Sequence, residues 1–225
     1  MKFNYYGHAC FGIETGGIKL LFDPFISGNE LAKDIDVNKI EADYILASHG
    51  HGDHVADLVA IAMRTGATVI GSYEVVNWAQ NNGVKNAHPM NFGPAKFEFG
   101  KLHFLPAWHS SGLPDGSYGG NPGGFLVHGL EHKFYYSGDT CLMTDMKLVP
   151  RYAKLDFAIL PVGGNFTMDA DDAVMAAEFI ECDKIIGVHF DTFGYIIIDH
   201  PKAKEKFKAA GKELILPKIG ETITL

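Results

Sequence analysis

The rhythm of hydrophobic and polar positions changes along the chain, and the changes mark its elements. Over residues 2–23, Phe11, Ile13, Leu20 and Phe22 recur at a spacing of two, and Gly16-Gly17 supplies a tight turn between them. This predicts a meander of short strands, stopped by Asp23-Pro24. Residues 43–48 form a short apolar run that ends abruptly at His49-Gly50-His51-Gly52-Asp53-His54, as a buried strand does before a functional loop. The period then lengthens. Val55, Leu58, Val59, Ala62 and Met63 fall on one face of a helix, which Gly66 closes. The histidine cluster is thereby placed between the carboxyl end of a strand and the start of a helix.

A strand at 67–70 and a helix over 73–81 complete a first half. Alternation resumes over 95–108 and 123–138, on either side of a loop, 109–122, that carries four glycines and two prolines. The remainder predicts helices at 144–152, 170–180 and 201–210, with strands at 155–160, 184–188, 213–216 and 222–224. No linker, charge run or repeat divides the chain, so one layered α/β domain over residues 1–225 is expected. The Gly119-Gly120-Asn121-Pro122-Gly123-Gly124 run lacks the Lys-Ser/Thr of a phosphate-binding loop and reads as a turn.

Charge narrows the functional classes. Nineteen Lys and Arg against 27 Asp and Glu give a net charge of −8, which opposes binding along a nucleic-acid backbone. Cys10, Cys141 and Cys182 are odd in number and lack metal-ribbon spacing, so a reducing compartment is expected and Cys141 is read as packing. With no apolar leader and no membrane-length stretch, the expected location is cytoplasmic, without a membrane partner.

The chemistry concentrates in H-x-H-x-D-H at His49, His51, Asp53 and His54. Three imidazoles and a carboxylate within six residues suit a borderline divalent cation far better than a solvated turn does. One short loop cannot surround an ion, because neighbouring side chains diverge. Further ligands must come from other strand ends, where His109, Asp139 and His189 stand. His88, His103, His128 and His132 are read as strand or surface histidines, and the Lys202–Lys212 cluster as a solvated helix face.

These anchors, Asp23-Pro24, H-x-H-x-D-H, His109, Gly138-Asp139-Thr140 and His189, resemble the metallo-β-lactamase superfamily in order and kind. The opening Gly7-His8-Ala9-Cys10 and the Pro161–Met168 run look most like metal-dependent hydrolases near the ascorbate-6-phosphate lactonase-like branch. The resemblance implies a four-layer αββα sandwich holding two divalent ions, Zn²⁺ or Mn²⁺ ahead of Fe²⁺ or Ni²⁺. It assigns one ion to His49, His51 and His109 and a second to Asp53, His54 and His189, with Asp139 bridging. A metal-bridging hydroxide would then attack a small-molecule ester, lactone, thioester or phosphoester, with Asp53 orienting it and helping to move its proton. Asp23 is expected to accept a ring N–H from a ligand histidine, or else to cap the Pro24 turn. His8 is placed as a substrate or supporting contact, or a plain loop histidine. Asn165, Thr192 and Phe193 are candidates for the mouth of the site.

Three other readings compete: a nuclease acting on RNA or DNA, iron redox chemistry, and a non-catalytic metal-binding scaffold. The acidic charge opposes the first. His51, retained as a third ligand histidine, opposes the second, and the complete set of seven ligands opposes the third. The Tyr195-Ile196-Ile197-Ile198 stretch can cover the pocket, pack in the core or meet a second subunit of a homo-oligomer.

Overall fold

A computed structural model describes residues 1–225. The first sheet is built from β1 (Lys2–Gly7), β2 (Cys10–Thr15), β3 (Ile18–Phe22), β4 (Tyr44–Leu46), β5 (Thr68–Ser72) and β6 (Ala87–Met90). The second contains β7 (Gly93–Phe97), β8 (Gly100–Pro106), β9 (Gly123–Gly129), β10 (Lys133–Tyr136), β11 (Phe157–Pro161), β12 (Lys184–Val188) and β13 (Glu213–Ile215). The last strand, β14 (Thr222–Thr224), crosses back to pair with β1, so each sheet has seven strands. Each begins with antiparallel hairpins and continues with parallel strands, the switch falling at β3/β4 in one and β10/β11 in the other.

Alternation along the strands explains the layering. Leu20 and Phe22 of β3 enter the core between the sheets, whereas Leu21 faces the outer helices; Leu46 against Ile45 and Ile70 against Val69 repeat the division on β4 and β5. Phe22 stacks on Phe11 at 4.6 Å and meets Tyr136 of the opposite sheet edge-on at 5.8 Å. Each such buried ring stabilises the fold by roughly 1.5–3 kcal/mol. Helices α1 (Gly52–Val55), α2 (Leu58–Thr65) and α3 (Tyr73–Asn81) lie with the first half of the chain. Helices α4 (Val149–Tyr152), α5 (Ala170–Phe179) and α6 (His200–Ala209) lie with the second, giving the αββα order. No helix is long and apolar enough to cross a membrane.

Three sequence expectations are corrected. The helix after the histidine cluster is broken at Asp57, whose carboxylate turns inward to accept N–H bonds from Ile26 and Ser27 at 2.6 and 2.9 Å. Its buried face is Val55, Leu58, Ile61 and Ala62, while Met63 is exposed. The alternating runs 95–108 and 123–138 each break into two strands at a turn. Strand β6 was not among the expected elements; it contains Pro89 and lies at the sheet edge, where proline's missing N–H is tolerated.

Candidate metal centre

The strands deliver their chemistry to one end of the sandwich. β4 leads into 49–54, β8 into His109, β10 into Asp139 and β12 into His189. The β1–β2 turn adds His8, and the end of β3 adds Asp23. His8, Asp23 and His189 all have positive φ, 55°, 42° and 56°, a conformation that costs non-glycine residues about 1–3 kcal/mol each. Surrounding bonds hold them there: the His189 N–H donates to the His8 carbonyl at 2.8 Å, and the Asp23 N–H to the Leu46 carbonyl at 3.0 Å. Gly163 must be glycine, since a Cβ there would come within 2.1 Å of the His189 carbonyl oxygen.

Asp139 stands at the centre. Its Oδ2 lies 2.9 Å from His189 Nε2, 3.3 Å from His54 Nε2 and 3.6 Å from His109 Nε2. His49 Nε2 and His51 Nδ1 face each other at 2.9 Å. Ser48 Oγ is 3.0 Å from His49 Nδ1, and Ser110 Oγ is 3.1 Å from His51 Nε2, so each ring is oriented from behind. Three overlapping sets have ligand atoms within 4.8 Å of one another: His49, His51 and His109; His49, His54 and Asp139; and His8, Asp53, His54 and His189.

Charge is set by burial and by these neighbours. Burial pushes His49, His51 and His109 below the ordinary imidazole pKa, favouring the neutral rings that a metal ion requires. Burial would lower His54 too, but Asp139 and Asp23 flank its ring and hold it well above the ordinary value. Burial opposes ionisation of Asp139; His189 and His54 outweigh it and keep the carboxyl well below the usual range. His54 Nδ1 donates to Asp23 Oδ2 at 2.9 Å, while its buried Nε2 has no hydrogen-bond partner. An orphaned buried nitrogen beside a carboxylate, among neutral imidazoles, fits a divalent cation.

Asp23 itself is fully buried and accepts three further bonds: from Ser48 N at 2.7 Å, Ser48 Oγ at 2.6 Å and Tyr136 OH at 2.5 Å. Its carboxylate thus orients a cluster histidine while tying the two sheets together.

A profile of the beta-lactamase superfamily domain matches residues 19–190. The chain is 53% identical to a UPF0173 metal-dependent hydrolase of Flavobacterium johnsoniae over 226 residues, covering 100% of both chains. The chain belongs to this family of metal-dependent hydrolases within the β-lactamase superfamily. Among solved structures, Igni18, a novel metallo hydrolase from the hyperthermophilic archaeon Ignicoccus hospitalis, matches with a TM-score of 0.88 at 29% identity, covering 99% of this chain and 97% of its own. The isothiocyanate hydrolase from Delia radicum gut bacteria shares the fold, with a TM-score of 0.82 at 17% identity and coverage of 100% and 99%. Family membership makes the chain a metal-dependent hydrolase of the metallo-β-lactamase fold.

In this hydrolase the seven residues singled out from sequence, His49, His51, Asp53, His54, His109, Asp139 and His189, converge at one place. His8 comes closer than expected, its Nε2 3.0 Å from Asp53 Oδ2 and its Nδ1 3.1 Å from Thr192 Oγ1. Asn165 is the exception: it is an exposed turn residue with φ 54°, and its neighbour Phe166 faces the cleft instead. Cys141 is exposed rather than packed. Ser48, Ser110 and Tyr136 were not anticipated; Ser110 and Tyr136 reach the site only through tertiary contacts, which leave no local pattern, and Ser48, although next to His49 in the chain, has its orientation set by Asp23 from another strand end.

Proposed function

We propose that the chain uses two divalent cations, Zn²⁺ or Mn²⁺, to hydrolyse a small-molecule ester, lactone or phosphoester. The observation that carries this reading is the single Asp139 oxygen facing His54, His109 and His189, which joins the two ligand sets. His49, His51 and His109 would hold one ion and Asp53, His54 and His189 the other, with Asp139 shared. Divalent cations, once bound, supply a Lewis acid for the scissile group and a water that ionises near neutral pH.

The chain's own residues do the rest. Asp53 is partly open to a cleft of about 740 Å³, a size suited to a small molecule. Burial opposes its ionisation, but the His8 hydrogen bond and the neighbouring His54 keep it a carboxylate, able to orient the attacking water and receive its proton. Asp23 fixes the His54 ring, and Ser48 and Ser110 fix His49 and His51. The sequence likeness to the lactonase-like branch puts lactones and carboxylic esters first among substrates.

Metal analysis by plasma mass spectrometry tests the reading, with wild type beside Asp139→Ala and an ester and lactone screen on the loaded protein. About two equivalents falling in the variant, with hydrolysis lost alongside, is the expected result. Near-zero metal after reconstitution with Zn²⁺ and Mn²⁺ overturns it.

A further inference from the structure

The loops around the cleft share a property that the catalytic reading does not use. Segments 49–54, 108–122, 138–143, 163–169 and 189–199 contain no lysine and no arginine. The large side chains they expose are apolar. Tyr195 is 77% exposed, Ile197 70%, Trp108 69% and Phe166 47%. Phe166, Phe193 and Tyr195 line the cleft beside Asp53, Asp139 and the histidines. Phe166 and Tyr195 meet edge to face with ring centroids 6.1 Å apart, forming a wall, and Phe193 is braced edge-on against His8 at 5.2 Å.

Large aromatic side chains left in water next to a polar cleft mark a surface that something apolar covers. The charge pattern says what kind of molecule. One anionic or polarised group at the reacting end can be met by the bound cations. A second anionic group on the same molecule would find no lysine or arginine on these loops, only the hydroxyls of Ser110 and Thr192 beside carboxylates and aromatic ring faces, whose quadrupoles repel anions. We infer that the substrate is an uncharged ester or lactone bearing an aromatic or extended apolar group next to the scissile bond, seated against Phe166, Phe193 and Tyr195. This rests on the metal-dependent hydrolysis proposed above. In the reaction water adds across the acyl C–O bond: its oxygen joins the carbonyl carbon, the alcohol oxygen leaves and takes a proton, and an acid and an alcohol result.

Binding of three hydroxamates to the metal-loaded protein tests the inference by calorimetry, because they share one metal-binding head and differ only in the tail. The tails are methyl (acetohydroxamate), phenyl (3-phenylpropanohydroxamate) and carboxylate (the monohydroxamate of succinate). The phenyl compound is expected to bind about tenfold or more tighter than the methyl compound, from burial of one ring. The carboxylate compound is expected to bind no tighter than the methyl one. Tyr195→Ala and Phe166→Ala, both at exposed positions where folding is little affected, are expected to erase most of the phenyl advantage while leaving acetohydroxamate binding in place. Equal binding of all three, or preference for the carboxylate, overturns the inference and leaves the metal reading standing. So does a phenyl advantage untouched by both variants, or a change in sedimentation instead, which would make the aromatic wall a subunit contact. No binding by any of the three, with no metal in the protein, removes the hydrolytic reading and this inference with it.

Discussion

His8 Nε2 lies 3.0 Å from Asp53 Oδ2, although one residue sits in the turn after β1 and the other in α1, after β4. Burial lowers the His8 pKa to about 4, against the opposing pull of Asp53, so at neutral pH the contact is a neutral imidazole N–H donating to a carboxylate. The other ring nitrogen accepts from the Thr192 hydroxyl at 3.1 Å. His8 thus spans the Asp53 carboxylate and the loop that carries Phe193 and Tyr195.

His8→Asn keeps a side chain that tolerates positive φ but cannot bridge both partners. Turnover is expected to fall about 10- to 100-fold, the usual loss when a supporting hydrogen bond is removed, while metal content is unchanged. Steady-state kinetics beside metal analysis checks this. Loss of one metal equivalent would instead make His8 a ligand.

Tyr136→Phe removes one of four donors from the buried Asp23 carboxylate without opening a cavity. Hydrogen bonds to charged groups contribute about 1.5–3 kcal/mol, so urea denaturation should show a stability loss of that order. No loss would mean that the three remaining donors satisfy Asp23 by themselves.

The metal-free protein should be acid-sensitive in a definite window. His8 is neutral in the fold but takes a proton in the unfolded chain near pH 6.5, so its contribution is complete above pH 6.5 and is lost as pH falls towards about 4. His49, also pushed down by burial, acts in the same direction. His54 acts oppositely: its folded pKa is raised, so its contribution is present below about pH 6.5 and fades as pH rises through the folded value. Melting temperature against pH, wild type beside His8→Asn, is expected to show a shallower acid limb in the variant.

Metal loading at pH 7 should release protons, because His54 is held protonated by Asp139 and Asp23 and must be neutral to bind an ion. Calorimetry in buffers of different ionisation enthalpy measures the count. Stripping the metal with a chelator should abolish turnover. At a free metal concentration about 100 times Kd, the stability lost is about 2.7 kcal/mol, or about 5–10 °C in melting temperature for a chain of this size.

The sequence was most legible where the physics is local. The helix over 73–81 and the strand at 184–188 are found at those limits, and Gly66 closes α2 with φ 75°. H-x-H-x-D-H was legible because its density of imidazole within one turn has no cheap structural use. Strand β6 was hidden because its proline is permitted only by an edge position, and edges are decided by the whole sheet. The break at Asp57 was hidden because its partners, Ile26 and Ser27, lie on another loop. Tyr136 and Ser110 meet the cluster only once both sheets are docked, and of the mouth candidates Thr192 and Phe193 line the cleft whereas Phe166 takes the place expected of Asn165, because which side of a turn faces a cleft is set by the loops around it.

The division of donors between the two sheets bears on how the chain is made. Synthesis runs from the amino end, so His49, His51, Asp53 and His54 leave the ribosome well before His109, Asp139 and His189 exist. An ion caught by the early cluster alone would hold fewer ligands than the finished site offers and would exchange freely with its surroundings. The seventh candidate donor therefore arrives only with β12, and a chain cut short before that strand keeps the other six donors but lacks His189, the histidine nearest the Asp139 carboxylate.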